Sequence, residues 1–279
     1  MNTWLILDVS GLCYRNFYAM GDLSYEGVKT GIVYGLFRDV LMLQEIHQTD
    51  RMIFCFDCGY TGRSEIYPGY KVKDDSGRIT EEELEAKQGV RIQINRLRDK
   101  YLPDVGFCNL LWQEGYEADD VIASVCNDLP REDKGVIVSM DEDLYQLLDR
   151  DRIIMWNPRT KKPITGDSFR REYGIDNSLW SDVKALAGCV SDKVPGVLGV
   201  GEKTAIKFLT GELKPTTKAY DRIVTSNALW ERNLRLVRLP FPGTKHFELV
   251  PDEIDERRWE WLLGKLGMRS LKSKRLRRV

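Results

Sequence analysis

Apolar and polar residues change period repeatedly along the first half of the chain. Residues 3–8 (TWLILD) form a short apolar run that stops at an acid. Residues 30–48 carry Ile32, Val33, Leu36, Phe37, Val40, Leu43 and Ile46 at helical spacing. This predicts a strand, a loop and a helix. A second apolar run, 51–57 (RMIFCFD), again ends in Asp, and 104–112 and 134–140 (KGVIVSM) are further strand candidates separated by helical stretches. Strands alternating with helices imply an α/β fold with a mostly parallel sheet flanked by helices. In such sheets ligands collect outside the carboxyl ends of the strands, and Asp8, Asp57 and Asp141 fall at or just beyond three of those ends.

From Cys58 to about Glu81 the chain is polar and contains glycine. That is too long for an ordinary connection, and it leads into a helical stretch, EEELEAKQGVRIQINRLRDKYL. Past about residue 160 the alternation stops, and helical periodicity marks 167–173, 178–188, 202–210, 227–239 and 252–266. The expected organisation is an α/β domain over 1–160, with 58–89 set apart as a long excursion, and a helical region over 161–279. A helix-hairpin-helix is expected at about 178–210, and Trp230, Trp259 and Trp261 as core or domain-contact residues.

The 279 residues are 42% hydrophobic and 30% charged, as in an ordinary globule, and no run of 18 apolar residues could span a bilayer. The N-terminus reaches Asp8 before an apolar signal region can form, so a cytoplasmic protein is expected. Cys13, Cys55, Cys58, Cys108, Cys126 and Cys189 are spread through apolar segments and read as reduced thiols. Cys55 and Cys58 form a lone CxxC. With only His47 and His246 in the chain, no second half of a zinc site is evident. The same scarcity argues against triads and histidine acid–base chemistry. Total charge is balanced, 42 Lys and Arg against 43 Asp and Glu, but residues 269–279 carry Arg269, Lys272, Lys274, Arg275, Arg277 and Arg278 and no acid. This basic tail is either a solvated terminus or an arm for an anionic polymer.

The carboxylates carry the chemistry. Residues 115–123 (GYEADDVIA) place Glu117, Asp119 and Asp120 at the start of a helix. One acid there is explained by capping and the helix dipole, but three exceed what capping needs. Asp141 and Asp143 follow the 134–140 strand, where they could also cap the next helix. With Asp8 and Asp57, seven carboxylates converge on one edge of the sheet, and their repulsion calls for cations. Carboxylates without His or Cys partners suit Mg²⁺ or Mn²⁺. Two such ions about 4 Å apart activate water and stabilise a leaving oxygen in phosphodiester hydrolysis.

Residues 188–206 (GCVSDKVPGVLGVGEKTAI) read as a tight hairpin between two helices. Gly199 and Gly201 let the backbone approach a phosphate, and the following helix N-terminus with Lys203 supplies donors and positive charge. That suits a duplex backbone read without sequence. A glycine cap and turn between packed helices is the simpler alternative. A Walker loop is excluded, because Glu202 intervenes between Gly201 and Lys203-Thr204.

Taken together these pieces resemble the structure-specific 5′-nuclease (flap endonuclease) family, notably its phage enzymes and the 5′-nuclease domain of bacterial DNA polymerase I. The matching segments run from Asp8 to about Leu209: Phe56-Asp57, GYEADD at 115–120, Asp141-x-Asp143, and SDKVPGV at 191–197 leading into GVGEKTA at 199–205. The resemblance implies a PIN-like sheet, two divalent metals (Mg²⁺ or Mn²⁺), and a helix-three-turn-helix gripping duplex DNA, with K⁺ at the hairpin near Ser191. It implies Asp8, Asp57, Glu117, Asp119 and Asp120 as the first metal site and Asp141, Asp143 and Asp192 as the second. It assigns 58–89 to a basic helical arch containing Arg63, Tyr70 and Lys71, with Lys71 stabilising charge at the scissile phosphate. Arg15 matches a strand-contacting position, with a surface salt bridge as the other reading, and Gly199, Gly201, Lys203 and Thr204 match the duplex contact. The implied partners are DNA with a 5′ flap or free 5′ end, RNA–DNA hybrids during primer removal, and a replicative polymerase, with the chain itself a monomer.

Two positions depart from the family pattern. Gly-Asp-x-x-Asp becomes Gly188-Cys189-Val190-Ser191-Asp192, so a thiol stands where a second-site carboxylate is expected. Sulfur serves Mg²⁺ poorly. Asp74, beside Lys73, stands where an Arg often follows the arch lysine. A catalytically weakened DNA-binding module therefore remains the alternative, and an RNA-directed PIN-type ribonuclease, which does not need the hairpin, a third.

Overall fold

A computed structural model describes residues 1–72 and 80–277, so Lys73 and Asp74 lie outside the described residues. Six strands, β1 (Thr3–Asp8), β2 (Met52–Cys55), β3 (Leu110–Leu111), β4 (Lys134–Val138), β5 (Ile153–Asn157) and β6 (Lys162–Ile164), form one sheet in the order β3-β2-β1-β4-β5-β6. Neighbours are parallel except β5 and β6. Asp8 pairs with Cys55, and Leu7 with both Phe54 and Val138, so three strands end together and the acids following them share one edge.

The apolar runs are continuous because both faces of β1 are covered. Leu5 and Leu7 face one cluster with Phe37 and Trp259, while Trp4 and Ile6 face another with Val121 and Trp180. This is the period-two alternation of a strand buried on both sides. Both clusters draw residues from either side of residue 160, so the α/β and helical halves share their cores.

Several boundaries differ from the sequence expectations. The segment after Asp8 is not a loop. A helix, Val9–Met20, starts directly from β1, followed by a short hairpin of Ser24–Tyr25 and Val28–Lys29. Its buried stripe is only Val9, Leu12, Cys13 and Asn16, which gives a weak periodic signal. The 104–112 candidate shrinks to β3, because Leu102–Val105 continues the helical path that begins at Glu81. Strand β6 lies inside the expected helical half, and the helix Lys218–Thr225, which buries only Ile223, was not expected. The expected helices near 178–210 and 227–239 are present as Trp180–Ala187, Glu202–Leu209 and Asn227–Val237.

Trp259 is buried against Phe37, but Trp261 is 58% exposed beside Lys265. Two positions apart on a helix they face nearly opposite sides and cannot both enter one core. The basic tail docks as far as it is described: Leu276 is buried, and the Arg277 N–H donates to Gln44 Oε1 at 3.0 Å. Among the described residues no helix is long and apolar enough to cross a membrane.

Candidate active site

Asp8 closes β1 and caps the Val9–Met20 helix, accepting from the Gly11 N–H at 2.9 Å and from Ser139 Oγ at 2.8 Å. A Cβ on Gly11 would stand 2.3 Å from Asp8 Oδ2, so only glycine lets this turn wrap the carboxylate. Asp57 accepts from the Ala118 N–H at 2.8 Å, which brings the start of the Ala118–Asp128 helix to the same edge. Asp119 sits on the first turn of that helix.

These groups repel one another. Burial pushes the Asp8 carboxyl up to about 7, with Asp57 and Asp141 adding to the shift. Asp119 is raised well above the usual range by burial and then by Asp141, Asp8, Glu117 and Asp57. Desolvation lifts Asp141 to about 6, helped by Asp143. Raised carboxyls in one cleft mark a cluster that its own protein does not neutralise.

Lys71 ties the two ends of the cleft together. Its Nζ pairs with Glu117 Oε1 and lies 3.3 Å from Asp192 Oδ1. Its backbone is left-handed at φ 49° and its N–H donates to the Asp192 carbonyl at 2.9 Å, which fixes where the ammonium points. Burial pulls its pKa down, but Glu117 and Asp192 outweigh this and raise it. Burial likewise raises Glu117, against the pull of Lys71 and Arg63.

The other half of the cleft is built on shorter elements. Asp141 caps the 3₁₀ turn Glu142–Leu147, accepting from the Asp143 N–H at 2.8 Å. Beyond the Trp180–Ala187 helix, Gly188–Cys189 pairs with Val194–Pro195, and the turn between them returns Asp192. Asp143, Cys189 and Asp192 each offer one ligand atom, all within 4.8 Å of one another. Burial pushes the Cys189 thiol up to about 12, and Asp143 and Asp192 add to it.

Lys184, which the sequence did not single out, lies 3.3 Å from Asp143 Oδ1 and 3.0 Å from Glu202 Oε1. Its one signal was a lysine in a helix that also buries Trp180, Ser181, Val183, Ala185 and Leu186. Asn233 was also missed. Fully buried, it donates to the carbonyls of Ala185 and Pro195, each at 2.8 Å, and pins the hairpin to the Asn227–Val237 helix. A Cβ on Gly196 would stand 2.2 Å from the Ala187 carbonyl, so this close crossing requires glycine.

Beyond the crossing, Gly201 starts the Glu202–Leu209 helix, the Thr204 N–H returns to the Gly201 carbonyl at 2.9 Å, and Lys203 is exposed. The Arg222 guanidinium holds the Leu198 carbonyl at 3.0 Å, next to Gly199. The hydroxyl of Ser191, the K⁺ candidate, lies 3.0 Å from Cys189 Sγ.

Three residues sit differently from expectation. Asp120 is fully buried: Oδ1 accepts from Arg63 Nη2 and the Phe241 N–H, each at 2.8 Å. Oδ2 accepts from Arg63 Nη1 at 2.6 Å and the Glu117 N–H at 3.2 Å. Four donors use its lone pairs, so it is not a metal ligand. Arg63 is not an open arch cation, because it is 3% exposed and its Nε also donates to the Leu236 carbonyl at 2.8 Å. Tyr70, expected as an arch residue contacting DNA, is buried, with its hydroxyl 2.7 Å from Glu117 Oε2 and 3.2 Å from Asp192 Oδ2. Arg15, for which the sequence left two readings, pairs with buried Asp39.

Residues 3–174 match the family described as 5′-3′ exonuclease, N-terminal resolvase-like domain. The chain belongs to this family. It is 31% identical over 252 residues to a 5′-3′ exonuclease of Aquifex aeolicus, covering 89% of this chain and 79% of that one. It is 37% identical over 224 residues to the thermostable DNA polymerase I of Thermus aquaticus, covering 78% of this chain but only 25% of the polymerase. A structure of the bacteriophage T5 D15 flap endonuclease in complex with DNA and metal ions superposes with a TM-score of 0.73 at 20% identity, covering 86% of this chain and 90% of that one. The fold is therefore the resolvase-like, PIN-type sheet, and the chain is a phosphodiester hydrolase of the 5′-nuclease family. A non-cutting module of the same fold is not favoured.

Proposed function

We propose that the acidic edge of the sheet binds two divalent cations and hydrolyses DNA near the junction of a single-stranded 5′ arm and a duplex, as a flap endonuclease and 5′→3′ exonuclease. The observation that supports this most directly is the gathering of Asp8, Asp57, Asp119 and Asp141 at one edge of the sheet, where burial and mutual repulsion raise the carboxyls of Asp8, Asp119 and Asp141. Such a cluster gains most from added positive charge. Asp8, Asp57 and Asp119, with Glu117 at the side, are assigned to a first ion. Asp141, Asp143 and Asp192 are assigned to a second; oxygen donors suit Mg²⁺ or Mn²⁺, and only this second set has a thiol, Cys189, grouped with two of its members. When bound, the ions supply an activated water and charge stabilisation for the leaving oxygen.

The protein's own groups do the rest. Lys71 presents an ammonium between Glu117 and Asp192, where it can meet a phosphate without leaving the cleft. The Gly199–Gly201 backbone, the helix N-terminus behind it and exposed Lys203 would hold duplex phosphates, with K⁺ as a further bridge at the hairpin. The substrates are 5′ flaps, free 5′ ends and RNA–DNA hybrids left by priming. The kinship with polymerase I points to work beside a polymerase, and the chain acts as a monomer in the cytoplasm. The test is a cleavage time course on a labelled 5′-flap duplex in Mg²⁺, Mn²⁺ or EDTA. Junction-directed cuts lost in EDTA are expected. Tight flap binding with no cleavage in either metal would overturn the reading, and preference for an RNA duplex would redirect it to ribonuclease chemistry.

A further inference from the structure

Among the buried cysteines, Cys55 and Cys126 lie within an apolar cluster against the sheet. Cys189 belongs to a smaller apolar cluster with Tyr70, Ala185 and Val194, but its Sγ also lies 3.6 Å from Asp143 Oδ2 and 3.0 Å from Ser191 Oγ, and it falls in one 4.8 Å group with oxygens of Asp143 and Asp192. The three ligand atoms come from three segments, the 3₁₀ turn after β4, the end of the Trp180–Ala187 helix, and the turn after it. A sulfur bond of about 2.3 Å and a carboxylate bond of about 2.1 Å meeting at a tetrahedral angle place the two ligand atoms about 3.6 Å apart, and Cys189 Sγ lies 3.6 Å from Asp143 Oδ2. Each carboxylate also has a lysine ammonium 3.3 Å away, Lys184 at Asp143 and Lys71 at Asp192, so an ion entering here takes the place of a countercharge already present.

We infer that this half of the cleft is a mixed thiolate–carboxylate site selective for a thiophilic first-row divalent ion such as Zn²⁺ or Co²⁺ over Mg²⁺. The inference rests on the nuclease reading only for what the ion does there, not for its binding. On coordination the S–H bond breaks heterolytically: sulfur donates its electron pair to the metal and the proton leaves to solvent, with no change of oxidation state. Asp143 and Asp192 add two negative oxygens. Lys184 gives up Asp143 and keeps Glu202, so the first residue of the Glu202–Leu209 helix retains its partner. A hard ion gains little from sulfur and favours an all-oxygen set, while a borderline ion gains from both donor types.

The test is Co²⁺ titration of the full chain, read by the sulfur-to-cobalt charge-transfer band in the near ultraviolet. One equivalent should produce the band in the wild type and in C108S, whose exposed thiol serves as a control. Cys189→Ser should abolish the band and weaken Co²⁺ binding by about tenfold or more, the scale of losing even an outer-shell partner. Cys189→Asp should also lack the band but bind Mg²⁺ more tightly than the wild type, and it carries the comparison if Cys189→Ser does not fold. No band in the wild type, or a band indifferent to both substitutions, would overturn the inference. Flap cleavage measured on the same samples separates the two readings. Cleavage in Mg²⁺ without a thiolate band leaves the nuclease and removes the thiolate site, whereas a band without cleavage in any metal keeps the site and removes the nuclease.

Discussion

The two halves of the acidic cleft carry similar charge on different foundations. Asp8, Asp57 and Asp119 stand on strand ends and a helix start that belong to the central sheet, and every donor there is a carboxylate. Asp143, Cys189 and Asp192 stand on a 3₁₀ turn and a two-residue ladder, with a thiol among the donors and lysine ammoniums in contact. Asp8 and Asp119 are raised in pKa mainly by burial and like charge, whereas at Asp143 the pull of Lys184 opposes the burial that raises it. The sheet edge thus leaves its repulsion for a cation to relieve, while the hairpin side already carries part of its own countercharge.

The largest effect should come from the sheet side. Replacing Asp8 and Asp119 by Asn removes the centre of that cluster, and flap cleavage should fall about 10³-fold or more, equivalent to several kcal/mol of lost stabilisation. The metal-free melting temperature of the same variant should rise, because the repulsion is gone. Retained cleavage would take these residues out of the metal site.

Asp120, next to Asp119 in sequence, should behave in the opposite way. Asp120→Ala leaves the Arg63 guanidinium buried without its partner and should cost about 3–5 kcal/mol in a denaturant titration. An unchanged unfolding midpoint would erase the distinction between the two neighbours.

A pH scan sharpens the comparison further. Asp8 and Asp141 titrate near 7 and 6 in the folded protein, against about 3.9 when unfolded. Their contribution to stability is fully present below about pH 4 and is lost as pH climbs through 6 and 7. In EDTA the melting temperature should therefore fall between pH 5 and pH 8, and Mg²⁺ should remove most of that fall. A flat EDTA profile would mean that the carboxylates do not repel as the structure indicates. The smallest effect lies outside both halves: Lys203→Ala should weaken all duplexes alike and reduce the log–log salt slope by about 0.9. Altered sequence preference would contradict a phosphate contact.

Much of this layout was legible in the chain. The runs ending at Asp8, Asp57 and the 134–140 strand gave the sheet edge, because a strand buried on both faces must be continuously apolar. Glycine and proline spacing around 188–201 gave the hairpin. Less visible were the Val9–Met20 helix, whose buried stripe includes Asn16, and strand β6, three residues long with polar flanks.

The sequence by itself determined which residue types meet at the cleft: a surplus of carboxylates, almost no histidine, and one thiol at position 189. Period and strand-end position are local properties, so they survive without any knowledge of the fold. Only the tertiary structure decided the partners. Asp119 and Asp120 are adjacent acids on one helix turn, yet one faces other carboxylates and the other faces Arg63, because a helix turns about 100° per residue and what lies on each side comes from distant segments. The same holds for Lys184 and Asn233, whose roles depend on Glu202, Pro195 and the hairpin folding back to them.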